Sequence, residues 1–155
     1  MGEHGTIEAI FLADRNGGPT HKVESAVAVA GRGLEGDRHF DDAGACDITL
    51  IESEAIESFK TGHGVDLKPG ESRRQVHVRG VDLGEFIGRR FRVGEIECDG
   101  EEHCEPCSHL AGLLGTNDVL TGLLHTGLRA RILKGGTIRT GDTVALVDSL
   151  AFVEE

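Results

Sequence analysis

The side chains best suited to chemistry are concentrated in residues 103–109, whose sequence is His-Cys-Glu-Pro-Cys-Ser-His. Two thiols and two imidazoles so close together are rare by chance in a chain that has four cysteines. The two cysteines have the spacing of a redox dithiol, and cysteine with histidine is a common set of zinc ligands. A single thiolate can instead bind a soft transition metal or carry sulfur as a persulfide.

Of the two thiols in this stretch, Cys107 is the better candidate for the reactive thiolate. Pro106 stiffens the chain before it, and an apolar run from Leu110 predicts a helix that begins at Cys107 or the next residue. Backbone N–H groups at a helix start favour negative charge and lower the pKa of a thiol placed there. Cys46 and Cys98 lack this context, and burial as small apolar side chains is the simpler expectation for them.

Arginine supplies most of the positive charge, because only four of the 16 basic residues are lysines. A glycine-rich segment, residues 33–39, ends in Arg38 and His39, which offer donors to an oxyanion that the backbone can approach closely. Arg129 and Arg131 are expected on one face of a strand. For any single arginine, however, a salt bridge on an acidic surface is the simpler interpretation.

A second basic segment, residues 73–79, alternates valines with polar side chains. This alternation predicts a strand with the valines facing the core and Gln75, His77 and Arg79 on the opposite face. A site for a multiply charged anion with a soft atom needs this combination of cationic forks and one thiolate.

Composition restricts the partners and the compartment. The 155 residues carry a formal net charge of −11, which disfavours generic binding to nucleic acid. No stretch approaches the roughly 18 apolar residues of a membrane helix, and the N-terminus has no apolar run typical of a signal peptide. We therefore expect a cytoplasmic protein in which residues 1–155 form a single domain, with no nucleic-acid or membrane partner.

Short apolar runs separated by turns predict a mainly β protein, a β-barrel of short mixed strands with a few short helices. The 23 glycines are dispersed without a repeat period, as expected for many tight turns. The predicted strands are Thr6–Leu12, Lys22–Ala30, Asp47–Ile51, Gln75–Val78, Phe91–Cys98 with a turn or bulge at Gly94-Glu95, Leu128–Leu133 and Thr143–Val147. The predicted helices are Glu52–Phe59, a short one that Asp82 begins, and two within His109–His125.

Six segments, taken in order, resemble the signatures of the MOSC domain, named after the C-terminal domain of molybdenum cofactor sulfurases. They are GDRH at 36–39, ITLI at 48–51 before a helix, RR at 73–74 leading to VRGVDL at 78–83, FRVG at 91–94, CEPC at 104–107 and GGTIRTGD at 135–142. Each segment alone is unspecific, but the ordered set is specific. The resemblance covers residues 6–147, and the chain is similar to a small, standalone member.

The resemblance implies a barrel-like fold and a family cysteine that binds molybdenum or has been proposed to carry sulfur. By its position after proline, that cysteine corresponds to Cys107, the expected catalytic residue and metal ligand. The implied cofactor is the molybdenum cofactor (molybdopterin), whose phosphate the basic residues would hold. The expected cofactor contacts are Arg38, His39, Arg74, Arg79 and Arg129.

The function that this resemblance implies is a molybdenum-cofactor-associated protein that binds the metal and pterin or relays sulfur through Cys107. The expected partners are a cysteine desulfurase or a molybdoenzyme, and pyridoxal phosphate would belong only to a desulfurase partner. One alternative is a molybdenum-dependent reductase of N-hydroxylated and other N–O compounds. Another is a non-catalytic zinc module built from Cys104, Cys107 and one of His103, His109 or His125.

Overall fold

Eleven strands and two helices make up the described part of the chain, residues 4–15, 18–41, 46–64, 72–103 and 127–147 of a computed structural model. The helices are α1 (Ser53–His63) and a 3-10 helix (Leu83–Phe86). The strands are β1 (His4–Ala13), β2 (Thr20–Val23), β3 (Ser25–Val29), β4 (Gly33–Leu34), β5 (Ile48–Glu52), β6 (Val76–Arg79), β7 (Arg90–Val93), β8 (Ile96–Glu102), β9 (Leu128–Lys134), β10 (Gly136–Arg139) and β11 (Thr143–Leu146).

Seven of these strands close into a barrel. The strand order of the sheet is β11-β7-β8-β9-β5-β6-β1-β2. A further pairing of β1 with β11 closes the barrel, and β2 pairs with β1 outside this ring. β5 and β6 pair in parallel, whereas the neighbouring pairs β5–β9 and β1–β6 are antiparallel. A second sheet has the order β10-β3-β4. The expectation of a mainly β, barrel-like fold with mixed strands is therefore confirmed.

Alternation of side chains along each strand builds the core. Residues two apart share a face of a strand, and one face of each barrel strand points inward. The inward faces of β5, β6 and β9 contribute fully buried apolar residues: Ile48, Leu50, Val76, Val78, Leu128, Ala130 and Ile132. Outside the barrel, α1 lies against β5 and β6, where Phe59 and Ile51 are each 1% exposed.

Two strand predictions fared differently. The single strand expected over Lys22–Ala30 is wrong, because the chain breaks at Glu24 and crosses from one sheet to the other. β2 pairs with β1 on the barrel, whereas β3 pairs with β10 and β4. The turn expected within Phe91–Cys98 is confirmed, since Gly94, with a positive φ of 59°, separates β7 from β8.

The described helices begin and end at residues with clear local causes. α1 continues past the predicted Phe59 and ends at Gly64, whose φ of 69° lets its N–H reach the Lys60 carbonyl. Asp82 caps the 3-10 helix by accepting a hydrogen bond from the Gly84 N–H at 3.0 Å. The helices predicted within residues 109–125 lie outside the described residues. No described helix has the length and apolarity needed to cross a membrane.

A buried carboxylate, Glu52, fastens three elements together at one end of the barrel. Its two oxygens accept hydrogen bonds from the Leu83 N–H at 3.1 Å and from the Gly127 N–H at 3.0 Å. The carbonyl of Gly127 in turn lies 3.3 Å from Nδ1 of His103. The end of β5 thus holds the 3-10 helix and the start of β9, and Gly127 in turn contacts His103.

We expect Glu52→Ala to lower the free energy of unfolding by about 3 kcal/mol, because two buried N–H donors lose their acceptor. Urea denaturation measures the change. Glu101→Ala is the matched control, since its carboxylate is exposed and pairs with Arg131 at 3.9 Å. That control is expected to change the free energy by no more than about 0.5 kcal/mol. Equal effects of the two substitutions would contradict the role assigned to Glu52.

Candidate functional site: a guanidinium pair beside a buried carboxylate

Polar side chains gather on the outer face of the barrel where β5 and β6 run parallel. Val76 and Val78 point into the core, so Gln75, His77 and Arg79 lie on the other side, as the alternation predicts. Thr49 lies on the same outer face of β5. Gln75 meets a loop, residues 35–41, that follows β4.

Asp37 holds this loop against the barrel. One carboxylate oxygen, Oδ1, accepts a hydrogen bond from the Ala13 N–H at 3.0 Å. The other, Oδ2, accepts from the Gln75 side-chain amide at 2.7 Å and from the His39 N–H at 3.2 Å. Asp37 is 6% exposed, and Gly36 before it has a positive φ of 85° that permits the tight turn. The carboxylate therefore connects the end of β1, the loop and the start of β6.

Gln75 is in turn held by Thr49. The Thr49 N–H donates to Oε1 of Gln75 at 2.9 Å, and the Gln75 N–H donates to Oγ1 of Thr49 at 3.0 Å. Gln75 is 3% exposed, so each of these bonds is made away from water. The two strands that run in parallel are thereby joined by side chains at the point where their ladder begins.

Two arginines lie near the single carboxylate of Asp37, and Arg38 forms the ion pair with it. Arg38, whose side chain is 10% exposed, places Nη1 3.7 Å from Oδ1 of Asp37 and donates from Nη2 to the Arg73 carbonyl at 3.4 Å. Burial lowers the pKa of Arg73, and the positive charge of Arg38 lowers it further, while Asp37 acts in the opposite direction. Both guanidinium groups stay charged at neutral pH. Two positive charges therefore face one negative charge.

Arg73 has the two features that distinguish it from the other arginines of the described chain. Its Nη2 atom is buried and makes no hydrogen bond among the described residues. Its backbone φ is 62°, in the left-handed region that non-glycine residues seldom occupy. Backbone strain of this kind costs of order 1 kcal/mol and is concentrated at functional sites. The Nη2 atom of Arg73 is therefore a buried cationic donor, in a strained turn, that a bound oxyanion could satisfy.

The strained turn is held from its other side by Ser72 and His77. Oγ of Ser72 lies 3.1 Å from Nε2 of His77 and accepts a hydrogen bond from the Arg74 N–H at 3.3 Å. The His77 ring also contacts Phe11, with 4.9 Å between ring centroids. Burial lowers the pKa of His77 to about 4, against a smaller opposite effect from Glu8. His77 is thus a neutral ring at physiological pH.

The other residues predicted to contact the cofactor differ in their relation to Arg38 and Arg73. His39 belongs to the Asp37 loop, and Arg74 belongs to the same turn as Arg73. Arg129 lies on the outer face of β9, paired with Glu102 at 3.4 Å. Arg79 instead forms ion pairs with Glu8 and Glu57, so its predicted role in binding the cofactor would require it to leave two carboxylates.

Three further arginines fit the simpler interpretation of a salt-bridged surface. Each lies opposite an acidic residue on the neighbouring strand or close to one: the pairs are Arg90–Asp99, Arg92–Glu97 and Arg131–Glu101. Such ion pairs at the surface contribute little to stability. They form a surface distinct from the guanidinium pair.

The thiols divide into those the structure describes and those it does not. Cys98 points into the core, and burial raises the pKa of its thiol far above the usual range. Cys46 donates to the Ile48 carbonyl at 3.6 Å, and burial raises the pKa of its thiol despite the opposing charge of Arg129. Neither is ionised at neutral pH. Cys104 and Cys107 lie outside the described residues, and the prediction for Cys107 stays a prediction.

Sequence inspection pointed to the basic pair at 73–74 but selected Arg74 rather than Arg73. No sequence pattern marks a left-handed arginine, and nothing in the composition reveals that one donor lacks a partner. The roles of Thr49 and Gln75 were likewise not foreseen. The alternation in residues 73–79, which places Gln75 outside the core, was the one available signal for its position.

Comparison with known families agrees with the ordered motifs. The family model of the MOSC domain matches residues 35–145, most of the chain. The chain belongs to the MOSC domain family. Membership places it in a family related to the molybdenum cofactor. No functionally curated protein matches the chain.

Solved structures with the same fold include other small proteins. The YUAD protein from Bacillus subtilis is 18% identical with a TM-score of 0.77, covering 91% of this chain and 94% of that one. YiiM from Geobacillus stearothermophilus is 19% identical with a TM-score of 0.73, covering 92% and 74%. YiiM from Escherichia coli is 14% identical with a TM-score of 0.69, covering 91% and 69%. At these identities the likeness establishes the MOSC fold alone.

Because the pKa of His77 lies below that of an unfolded histidine, the unfolded chain binds the extra proton first as pH falls. We expect the stability that neutral His77 contributes to be complete above about pH 6.5 and lost towards pH 4, by roughly 3 kcal/mol. Urea unfolding as a function of pH measures it. His77→Gln should flatten this part of the profile, whereas the exposed control His21→Gln should not. A His77 ring that titrates near pH 6.5 by NMR would contradict the assignment.

Proposed function

We propose that this protein is associated with the molybdenum cofactor and that the Arg38–Arg73 pair holds the phosphate of the pterin. The observation that carries the proposal is the buried Nη2 atom of Arg73, which finds no acceptor among the described residues. A buried donor without a partner costs free energy that a bound oxyanion recovers. The family is related to an anionic cofactor, and a phosphate oxygen of that cofactor would be the acceptor that the Nη2 atom of Arg73 lacks.

The donor set fits a phosphate rather than a neutral ligand. Guanidinium groups bind phosphate oxygens through paired, charge-assisted hydrogen bonds. With Asp37 neutralising one of the two charges, the pair retains about one net positive charge for a ligand. Arg74 in the same turn, His39 in the adjoining loop and Arg129 across β5 are the further predicted contacts. When bound, the cofactor would supply a redox-active metal.

The reactive sulfur in this proposal is Cys107, which lies four residues beyond His103. Leu128, Leu50 and Val76 are register partners on neighbouring strands, which places the start of β9 two strand spacings, roughly 10 Å, from the start of β6. The described chain thus resumes, at Gly127, close to the strand that follows Arg73.

Two uses of the Cys107 thiolate follow from its chemistry. It can ligate the metal directly, as a soft donor. It can also attack the terminal sulfur of a persulfide on a partner desulfurase, so that the sulfur moves to Cys107 and the partner leaves as a thiol. No net oxidation or reduction occurs in that transfer. A molybdoenzyme would be the partner that receives the sulfur or the cofactor.

The two alternative functions stay predictions with simple discriminating tests. Turnover of an N-hydroxylated compound by the reduced, cofactor-loaded protein would identify a reductase. One equivalent of tightly held zinc, with unfolding on chelation, would identify a zinc module. Within the described residues no group of His, Cys, Asp and Glu side chains could hold a metal ion, and His103 directs Nδ1 to the Gly127 carbonyl.

The proposal is tested by purifying the protein from a molybdenum-sufficient host and measuring pterin, molybdenum and sulfane sulfur. Arg73→Gln should retain about tenfold less pterin than the unmodified chain, because charge-assisted hydrogen bonds to the phosphate are lost. Arg90→Gln, which removes a charge from the salt-bridged surface, should leave the pterin content unchanged. Loss of pterin in both variants alike, or in neither, would contradict the site.

Cys107→Ser separates the two uses of the thiolate. Loss of molybdenum with pterin retained indicates that the sulfur is a ligand, and loss of sulfane sulfur alone indicates that it is a carrier. Folded protein that contains none of the three components would contradict an association with the cofactor.

A further inference from the structure

We propose that Gln75 is a positioning residue for the anion site: it orients the Asp37 carboxylate, and through it the guanidinium group of Arg38. The inference rests on the proposed function, in which Arg38 and Arg73 hold an oxyanion. Gln75 itself makes no hydrogen bond to either guanidinium among the described residues. Its action is carried by the 2.7 Å hydrogen bond from its Nε2 to Oδ2 of Asp37.

The position requires an amide. Asp37 as a carboxylate only accepts hydrogen bonds, so the atom of residue 75 that meets it must be a donor. The Thr49 N–H only donates, so the other terminal atom must be an acceptor. These two partners fix the orientation of the Gln75 amide without ambiguity. A glutamate at this position meets both demands only if it carries a proton.

The hydrogen bonds form one continuous path from the sheet to the site. Thr49 fixes the backbone and the amide oxygen of Gln75, and the amide nitrogen fixes one carboxylate oxygen of Asp37. The other oxygen of Asp37 lies 3.7 Å from Nη1 of Arg38, whose Nη2 donates to the Arg73 carbonyl. A change in the Asp37 carboxylate therefore alters the position of the Arg38 guanidinium group and its hydrogen bond to the Arg73 carbonyl.

The charges near Gln75 determine what happens when its amide is replaced by a carboxyl group. Asp37 and Arg38 lie in the loop, Arg73, Arg74 and His77 lie on its own segment, and Arg129 lies across β5 at the register partner of Thr49. The introduced carboxyl group would be buried beside the carboxylate of Asp37, and like charges raise the pKa of one of the two groups. When both are ionised, they neutralise both guanidinium groups.

Gln75→Glu therefore makes anion binding depend on pH in a predictable direction. At low pH the two carboxyl groups share a proton, the hydrogen-bond pattern of the amide is preserved and the site keeps its net positive charge. At high pH the proton is lost, the site becomes neutral and the anion binds weakly. The free energy of unfolding of the variant also falls as pH rises. A carboxyl group whose pKa is raised by folding destabilises the folded protein once it has to lose its proton.

The probe for this test is inorganic sulfate, which stays a dianion from about pH 5 to pH 8. Sulfate is titrated into the full chain, and binding is followed by NMR through the arginine Nε–H signals of Arg38 and Arg73. The ratio of variant to unmodified affinity is taken at each pH, so that groups common to both proteins, such as His39, cancel. Arg73→Gln and Arg90→Gln serve as negative and positive controls for the site.

We expect Gln75→Glu to bind sulfate about tenfold more weakly than the unmodified chain near pH 8 and nearly as well near pH 5. The pH dependence shows that residue 75 acts on the charge of the anion site, and the uncharged Gln75→Asn variant then separates positioning of Asp37 from the effect of the added charge. If the unmodified chain binds sulfate at Arg73 and the ratio for Gln75→Glu stays flat, the positioning role is overturned and the anion site stands. If the unmodified chain shows no response at Arg73, the proposed function fails and this inference fails with it.

Gln75→Asn keeps the test decisive if the glutamate variant does not fold. The asparagine retains an amide but is one methylene shorter, so it cannot bridge Thr49 and Asp37 at once. It introduces no titrating group, and we expect weaker sulfate binding at every pH together with a shifted Arg38 Nε–H signal. An unchanged Arg38 signal with full sulfate affinity would contradict the positioning role.

Discussion

Two guanidinium groups face one carboxylate on the outer surface of the barrel, and the proposed binding of an anion depends on this imbalance of charge. Asp37 is occupied by three hydrogen bonds as well as by Arg38, so it has no capacity left for Arg73. Arg73 is held in a strained turn with a buried donor that has no acceptor in the described part of the chain. A protein selected only for stability would gain by relaxing that turn. An oxyanion bound there, as the proposed function requires, would give the Nη2 atom of Arg73 an acceptor.

The barrel makes this arrangement possible because its strands bring together segments that are distant in sequence. The parallel pairing of β5 with β6 sets Thr49 beside Gln75, and the antiparallel pairing of β5 with β9 carries Arg129 to the same face. Glu52, at the end of β5, accepts a hydrogen bond from the Gly127 N–H, where the described chain resumes after the segment that contains Cys107. One strand thus connects the polar network to the segment that carries Cys107.

The fold and the faces of its strands could be predicted from the sequence, because alternation of apolar and polar residues is a local property. The family could also be predicted, because its motifs are short segments that can be read in order along the chain. The break at Glu24 could not be predicted, since the two halves of that apolar run find partners in different sheets. Arg79 and Arg73 show the limit most clearly: only three-dimensional contacts reveal that one is bound by two carboxylates and that the other lacks an acceptor among the described residues.

The most direct measurement is a crystal structure of the protein grown in selenate, whose selenium atom is located by its anomalous scattering. The account predicts a selenium peak at hydrogen-bonding distance from the guanidinium groups of both Arg38 and Arg73, with the Asp37–Gln75 contact intact. A structure in which Nη2 of Arg73 is bonded to a carboxylate of the protein, with no peak beside it, would contradict the account.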